Sequence, residues 1–204
     1  MNLYEKLLEL IGNDVLGLFG PPGSGKSTFC YLVALDALKL KKRVFYLDVE
    51  RNLDLKEEEI PQGLDYRYTP DYREILDIAR SLPQADLYIL DSFGMSVLPA
   101  YAEAPEDRKD VVLLKAFSLM EYFKLATYRN KSLAIVTNQP FKEPKVSEEL
   151  RPWGDWAVYL AKEIWRTSMV ESKEDGTVCE VKSWRSRMGE GKAPLQADDN
   201  FRGS

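Results

Sequence analysis

The chain has 204 residues, 45% of them hydrophobic, a formal net charge of −5, two cysteines and no histidine. That length suits one domain with a full core, and the charge balance excludes a molecule that attracts nucleic acid over its whole surface. The missing histidine excludes histidine metal sites, Ser-His-Asp triads and imidazole general bases.

Cys30 and Cys179 form no Cys-x-x-Cys pair, which points to a reducing, cytoplasmic setting without a disulfide framework or zinc site. Charged residues reach 30%, and the only glutamines are Gln62, Gln84, Gln139 and Gln196. Both trends occur in hyperthermophile proteins, among which intracellular disulfides are also known.

Residues 1–13 open with Met1 to Ile11, where Leu3, Leu7, Leu8 and Ile11 fit a short amphipathic helix too polar for a signal peptide. No apolar run is long enough to cross a bilayer, so no membrane association is expected. Val15 to Phe19 reads as a strand. Gly20-Pro21-Pro22-Gly23-Ser24-Gly25-Lys26-Ser27-Thr28 then matches G-x-x-x-x-G-K-[ST] at every fixed position. Phe29 to Leu40 repeats apolar residues at helical spacing.

Strand, glycine loop and helix together favour a phosphate cradle over a Gly/Pro-rich turn that happens to carry a lysine. Glycines let backbone N–H groups turn inward, and the helix N-terminus adds partial positive charge. In that geometry Lys26 reaches the β- and γ-phosphates of a nucleotide such as ATP, and Ser27 ligates Mg²⁺.

Arg43 to Glu50 is expected as a second strand, Arg51 to Gly63 as an acidic irregular stretch and Leu64 to Thr69 as a third strand. Pro70-Asp71 starts a helix to about Ser81. Leu87 to Asp91 is an apolar run ending in a carboxylate, as in a buried parallel strand. Phe93 to Asp107, with two prolines and small residues, reads as a long surface loop. Lys109 to Tyr128 is a long amphipathic helix, and Leu133 to Thr137 a buried strand closed by Asn138-Gln139-Pro140. Phe141 to Arg151 reads as a second polar loop, and Asp155 to Lys162 as a short helix. Glu163 to Val170 and Thr177 to Trp184 alternate around a hairpin turn at Lys173 to Gly176. Residues 190–204 read as a flexible tail. The expected fold is α/β: a mainly parallel twisted sheet with helices on both faces and a C-terminal antiparallel hairpin, the core spanning 14–189.

Three residues narrow the chemistry. Asp91, at a strand C-terminus, faces the ligand crevice and suits Mg²⁺; its plainer role is a helix N-cap. Glu50 places a second carboxylate at the same edge, where it can polarise the water attacking a γ-phosphate, or it simply opens the acidic stretch with Glu57, Glu58 and Glu59. Gln139 can sense a γ-phosphate without adding charge, or cap the strand end.

The set GPPGSGKST, then Tyr-Leu-Asp-Val-Glu, Ile-Leu-Asp-Ser and Ile-Val-Thr-Asn-Gln resembles the RecA/RadA recombinase core in order and spacing, from about Asp14 to Gly189. The resemblance implies a RecA-like phosphate-loop ATPase: Lys26 and Ser27 on phosphate and Mg²⁺, Glu50 as catalytic base, Asp91 as the Mg²⁺ carboxylate, Gln139 as the switch between ATP and DNA sites. Val181 to Gly189 is similar to the basic pair of clock-ATPase and replicative-helicase relatives. That likeness implies that Arg185 and Arg187 reach a neighbouring subunit's γ-phosphate, so that full hydrolysis requires a homo-oligomer; a solvated basic strand end is the alternative.

The two segments corresponding to DNA-binding loops are not strongly basic. Arg108 and Lys109 face Glu103, Glu106 and Asp107; Lys142, Lys145 and Arg151 face Glu143, Glu148 and Glu149. Phe141 and Trp153 are suited to stacking on bases, or, beside prolines, to forming small local clusters. Only weak single-stranded DNA binding is expected.

The short, core-only form resembles RadB-type archaeal paralogs, which implies slow ATP hydrolysis in DNA recombination or repair beside a recombinase or other repair protein. Phe123-Lys124-Leu125-Ala126 has the spacing of a recombinase linker motif but sits on an apolar helix face, as core residues do. Two alternatives stay open: a regulatory RecA-fold ATPase of the clock-protein or archaellum type acting on protein partners, and a small-molecule kinase, against which there is no arginine-rich lid.

Overall fold

A computed structural model of the protein describes residues 1–141, 151–152, 160–173, 176–186 and 201–203. Its strands are β1 (Val15–Phe19), β2 (Val44–Asp48), β3 (Leu64–Tyr68), β4 (Leu87–Asp91), β5 (Leu133–Asn138), β6 (Pro140–Phe141), β7 (Arg151–Pro152), β8 (Glu163–Lys173), β9 (Gly176–Ser186) and β10 (Phe201–Gly203). Its helices are α1 (Leu3–Ile11), α2 (Lys26–Lys39), α3 (Tyr72–Arg80), α4 (Phe93–Glu103) and α5 (Lys109–Asn130). Eight of these strands form one sheet in the order β10-β9-β8-β1-β5-β4-β2-β3. From β8 to β3 every neighbour is parallel; β8–β9 and β9–β10 are antiparallel. β6 and β7 make a separate antiparallel pair.

Period-two alternation splits the apolar strands between two cores. Val15, Phe19, Phe45, Leu47, Tyr88, Leu90, Ala134 and Val136 face α3, α4 and α5. Leu16, Leu18, Val44, Tyr46, Leu87, Ile89, Leu133 and Ile135 face α1 and α2. The central strands are buried on both sides, and therefore read as unbroken apolar runs. The result is an α/β fold with helices on both faces of a mostly parallel sheet. Among the described residues, no helix is long and apolar enough to cross a membrane.

Two expectations need correction. Residues 93–103 are helical, not a loop. Ser92 caps α4 by accepting from the Met95 amide at 3.4 Å, Phe93 and Val97 are buried, and these contributions outweigh Pro99 inside the helix. The second strand stops at Asp48, so Glu50 lies two residues beyond it, in a bend.

The short N-terminal helix packs onto the core. Leu7 and Ile11 are fully buried against α2 and the sheet, and the Leu3 amide donates to Asp36 at 2.9 Å. Phe201–Gly203, within the stretch read as a tail, pairs with Thr177–Cys179. Phe123 and Ala126 are core residues, as their helix face indicated. Most of the helix expected at 155–162 lies outside the described residues.

Candidate functional site

The register brings four strand ends level: Phe19 pairs with Asn138, Asp48 with Asp91, and Leu90 with Val136. This is the edge where open parallel sheets place their ligands, because the loops leaving the strand C-termini face one crevice.

The loop Gly20–Thr28 leaves β1 here. Gly23 and Gly25 have φ of 75° and 81°, a region that favours glycine, and Gly25 caps α2. The Ser24 amide closes the turn on the Pro21 carbonyl at 3.2 Å, and the Phe29 amide begins the helix on Gly25 at 2.8 Å. The Lys26 ammonium reaches back across the loop and donates to the carbonyls of Gly20 and Pro21 at 2.9 and 3.0 Å. Burial lowers its pKa, while Asp91, Glu50 and Cys30 pull it back up. Both acidic residues singled out in the sequence therefore bear on the same ammonium. Ser27 lies half-buried in the first turn of α2.

The loop rests on β8. Thr167 donates its hydroxyl to the Phe19 carbonyl at 3.3 Å and receives the buried Ser24 hydroxyl at 2.6 Å. Gly20 is pressed against the same threonine: an added Cβ would lie 2.2 Å from Thr167 Oγ1 and 2.5 Å from its carbonyl oxygen.

Asp91 is buried at the end of β4. Its Oδ1 accepts from Thr137 Oγ1 at 2.6 Å; its Oδ2 accepts from the Tyr46 phenol at 3.0 Å and Asn52 Nδ2 at 3.5 Å. Burial, and then the Asp91 charge, push the Tyr46 phenol well above its ordinary pKa, which keeps it a donor. The Asp91–Ser92 peptide is cis. Ser92 Oγ donates to Glu50 Oε1 at 2.5 Å, and Gln139 Nε2 reaches Glu50 Oε2 at 3.4 Å. Glu50 is thus tied to the residue after Asp91 and to the residue after β5, even though it does not end its own strand.

Lys26, Glu50, Asp91 and Gln139 converge on one edge. The other candidates do not join them. Arg108 lies in a short 3₁₀ turn, and Lys109 is paired with Glu106 at 2.5 Å and sits over the Tyr101 ring. Phe141, Arg151 and Arg185 are placed by backbone only, on β6, β7 and β9. The register sets Arg185 level with Ile164 and Gly17, below the strand end that carries the loop. Lys142, Lys145, Trp153 and Arg187 lie outside the described residues.

Sequence reasoning missed the site roles of Tyr46, Asn52, Ser92, Thr137 and Thr167. Ser92 and Thr137 are adjacent to recognised strand ends; Thr167 carries no local signal. An open cavity of about 290 Å³ lined by Arg43, Gly63, Leu64, Asp65 and Gln84 lies at the opposite end of the sheet, away from these groups. Both cysteines are free and buried. Among the described residues no three His, Cys, Asp or Glu side chains cluster as a metal cage. Comparison with protein-family models and with curated proteins gave no match.

Proposed function

We propose that the protein binds Mg²⁺·ATP on the Gly20–Thr28 loop and hydrolyses it slowly, as a RecA-like ATPase core working in DNA recombination or repair. The observation that carries this reading is the joining of Glu50 to Ser92 and Gln139 at the strand ends that hold the loop and its Lys26.

Loop amides and the α2 N-terminus cradle the β-phosphate. Lys26 exchanges the Gly20 and Pro21 carbonyls for phosphate oxygens. The donor set fits a nucleotide-borne cation: magnesium takes one or two protein oxygens and the substrate's own phosphates rather than a protein cage, and Ser27 directly and Asp91 through water would hold it. Bound there, the ion would offset phosphate charge. Glu50 accepts a proton from the water that attacks the γ-phosphorus, and Gln139 touches the same carboxylate and reports the state of the site.

The test is ATP turnover with and without single-stranded DNA, for wild type and Glu50→Gln. The substitution keeps size and removes the base, so turnover falls roughly 100-fold or more with KM little changed. Equal turnover in both proteins would remove Glu50 from the chemistry.

A second reading, a RecA-fold regulatory ATPase acting on protein partners, draws support from α4. The segment expected to offer a DNA-binding loop is a capped helix with buried Phe93 and Val97. Nucleotide-driven oligomer assembly without nucleic acid, together with no DNA binding at low salt, would favour that reading.

A further inference from the structure

β2 ends on Asp48, a fully buried carboxylate that no step above uses. Its Oδ1 accepts the amides of Glu50 and Asn52, both at 3.1 Å. Its Oδ2 accepts the Leu53 amide and the Tyr66 phenol, both at 3.0 Å. Four donors offset the cost of a charge taken out of water. Burial and the Asp48 charge raise the Tyr66 pKa, so the phenol stays protonated and keeps donating.

What Asp48 holds is the bend that delivers the site. Arg51 within it and Asp54 just after it have φ of 61° and 42°, left-handed values that L residues keep only when their surroundings fix them. Arg51 turns away, onto Asp54 at 2.7 Å and over the Tyr68 ring. Its two neighbours turn inward: Glu50 to Ser92 and Gln139, Asn52 to Asp91. The amides of these same two residues are the ones bound to Asp48 Oδ1.

We infer that Asp48 is a positioning residue for hydrolysis: it fixes the 49–53 bend on the end of β2 and so sets the Glu50 carboxylate against the nucleotide. This rests on the ATPase reading and adds a residue to it. Asp48 touches no substrate; it acts through Glu50. Asp48→Asn keeps shape and one acceptor oxygen but sets an NH₂ against the Leu53 amide and the Tyr66 phenol, which loosens one side of the clamp.

The experiment is steady-state ATP turnover and nucleotide affinity for wild type, Asp48→Asn, Tyr66→Phe, Glu50→Gln and the Asp48→Asn/Glu50→Gln double variant, with amide hydrogen exchange on the wild type. For Asp48→Asn, kcat falls by roughly 10- to 100-fold, the loss expected from misplacing a catalytic group by about 1 Å. Affinity for ATP stays within about 2-fold, and the double variant is no slower than Glu50→Gln alone. Tyr66→Phe, which leaves the three amide bonds in place, shows the same pattern more weakly and serves if Asp48→Asn does not fold. In the wild type the amides of Glu50, Asn52 and Leu53 exchange slowly.

Unchanged kcat in Asp48→Asn, a matching loss of affinity, or losses that multiply in the double variant would overturn the positioning role. So would fast exchange at those amides in an active wild type. A wild type without ATP turnover overturns the ATPase reading and this role together; turnover unchanged by Glu50→Gln overturns this role alone; in either case slow exchange would leave Asp48 as a structural clamp only.

Discussion

Gly20 marks how closely the Gly20–Thr28 loop and β8 approach each other. A methyl group there would overlap both the hydroxyl and the backbone carbonyl of Thr167, and a carbonyl fixed in a sheet cannot step aside. Gly20→Ala is therefore expected to destabilise the protein by about 1–3 kcal/mol and to abolish the rise in melting temperature on adding Mg²⁺·ATP. Thr167→Ser, which keeps the hydroxyl between Ser24 and Phe19, retains that rise. Differential scanning fluorimetry with and without nucleotide reads both outcomes. At this scale legibility followed distance along the chain. The places of Lys26, Asp91 and Gln139 at one sheet edge were readable because each sits at a fixed offset from a strand that announces itself. Glu50 was placed at the correct edge although the strand was drawn two residues too long. Thr167 was not readable, since its partner Ser24 lies 143 positions away. Asp48 was passed over because one of two acidic residues in Asp48-Val49-Glu50 was enough to satisfy the motif.

β1 and β4 fell where the sequence put them, because a strand buried on both faces is an apolar run with sharp polar ends. α4 did not. Pro99 and the small residues around it argue for a loop, and only the tertiary contacts of Phe93 and Val97, absent from local propensity, overrule them. α1 gives the opposite lesson: its periodicity was plain, but nothing local showed that it is part of the core. Leu7 has no exposed surface. Leu7→Ala should cost about 2–5 kcal/mol and lower Tm by roughly 5–15 °C, measurable by circular dichroism. A loss under about 0.5 kcal/mol, the range of surface substitutions, would mean that α1 is an appendage.

Across the whole molecule, the two cores bury tyrosines as well as aliphatic residues, with a consequence for pH. Burial pushes Tyr4 and Tyr72 up to about 12 and raises Tyr46, Tyr66 and Tyr88. In the unfolded chain these phenols ionise near pH ~10. Their folded pKa values are raised, so the stability they contribute is fully present below about pH 10 and is lost as pH climbs above it, through about 12 for Tyr4 and Tyr72. Lys26, whose folded pKa is lowered, works in the opposite sense, but it is one group against five. Tm is expected to hold level up to about pH 9.5 and then fall by roughly 10 °C before pH ~11.5, with phenolate absorbance appearing together with unfolding. Phenolate absorbance from all eleven tyrosines while the secondary structure persists would contradict this picture. The hydroxyl bridge from Ser24 through Thr167 to Phe19 also limits how the gene can be trimmed. A fragment stopping after β5 would keep all of Gly20–Thr28 yet lose the threonine on which that loop rests. Any shortened version that keeps the loop supported must therefore extend at least through β8.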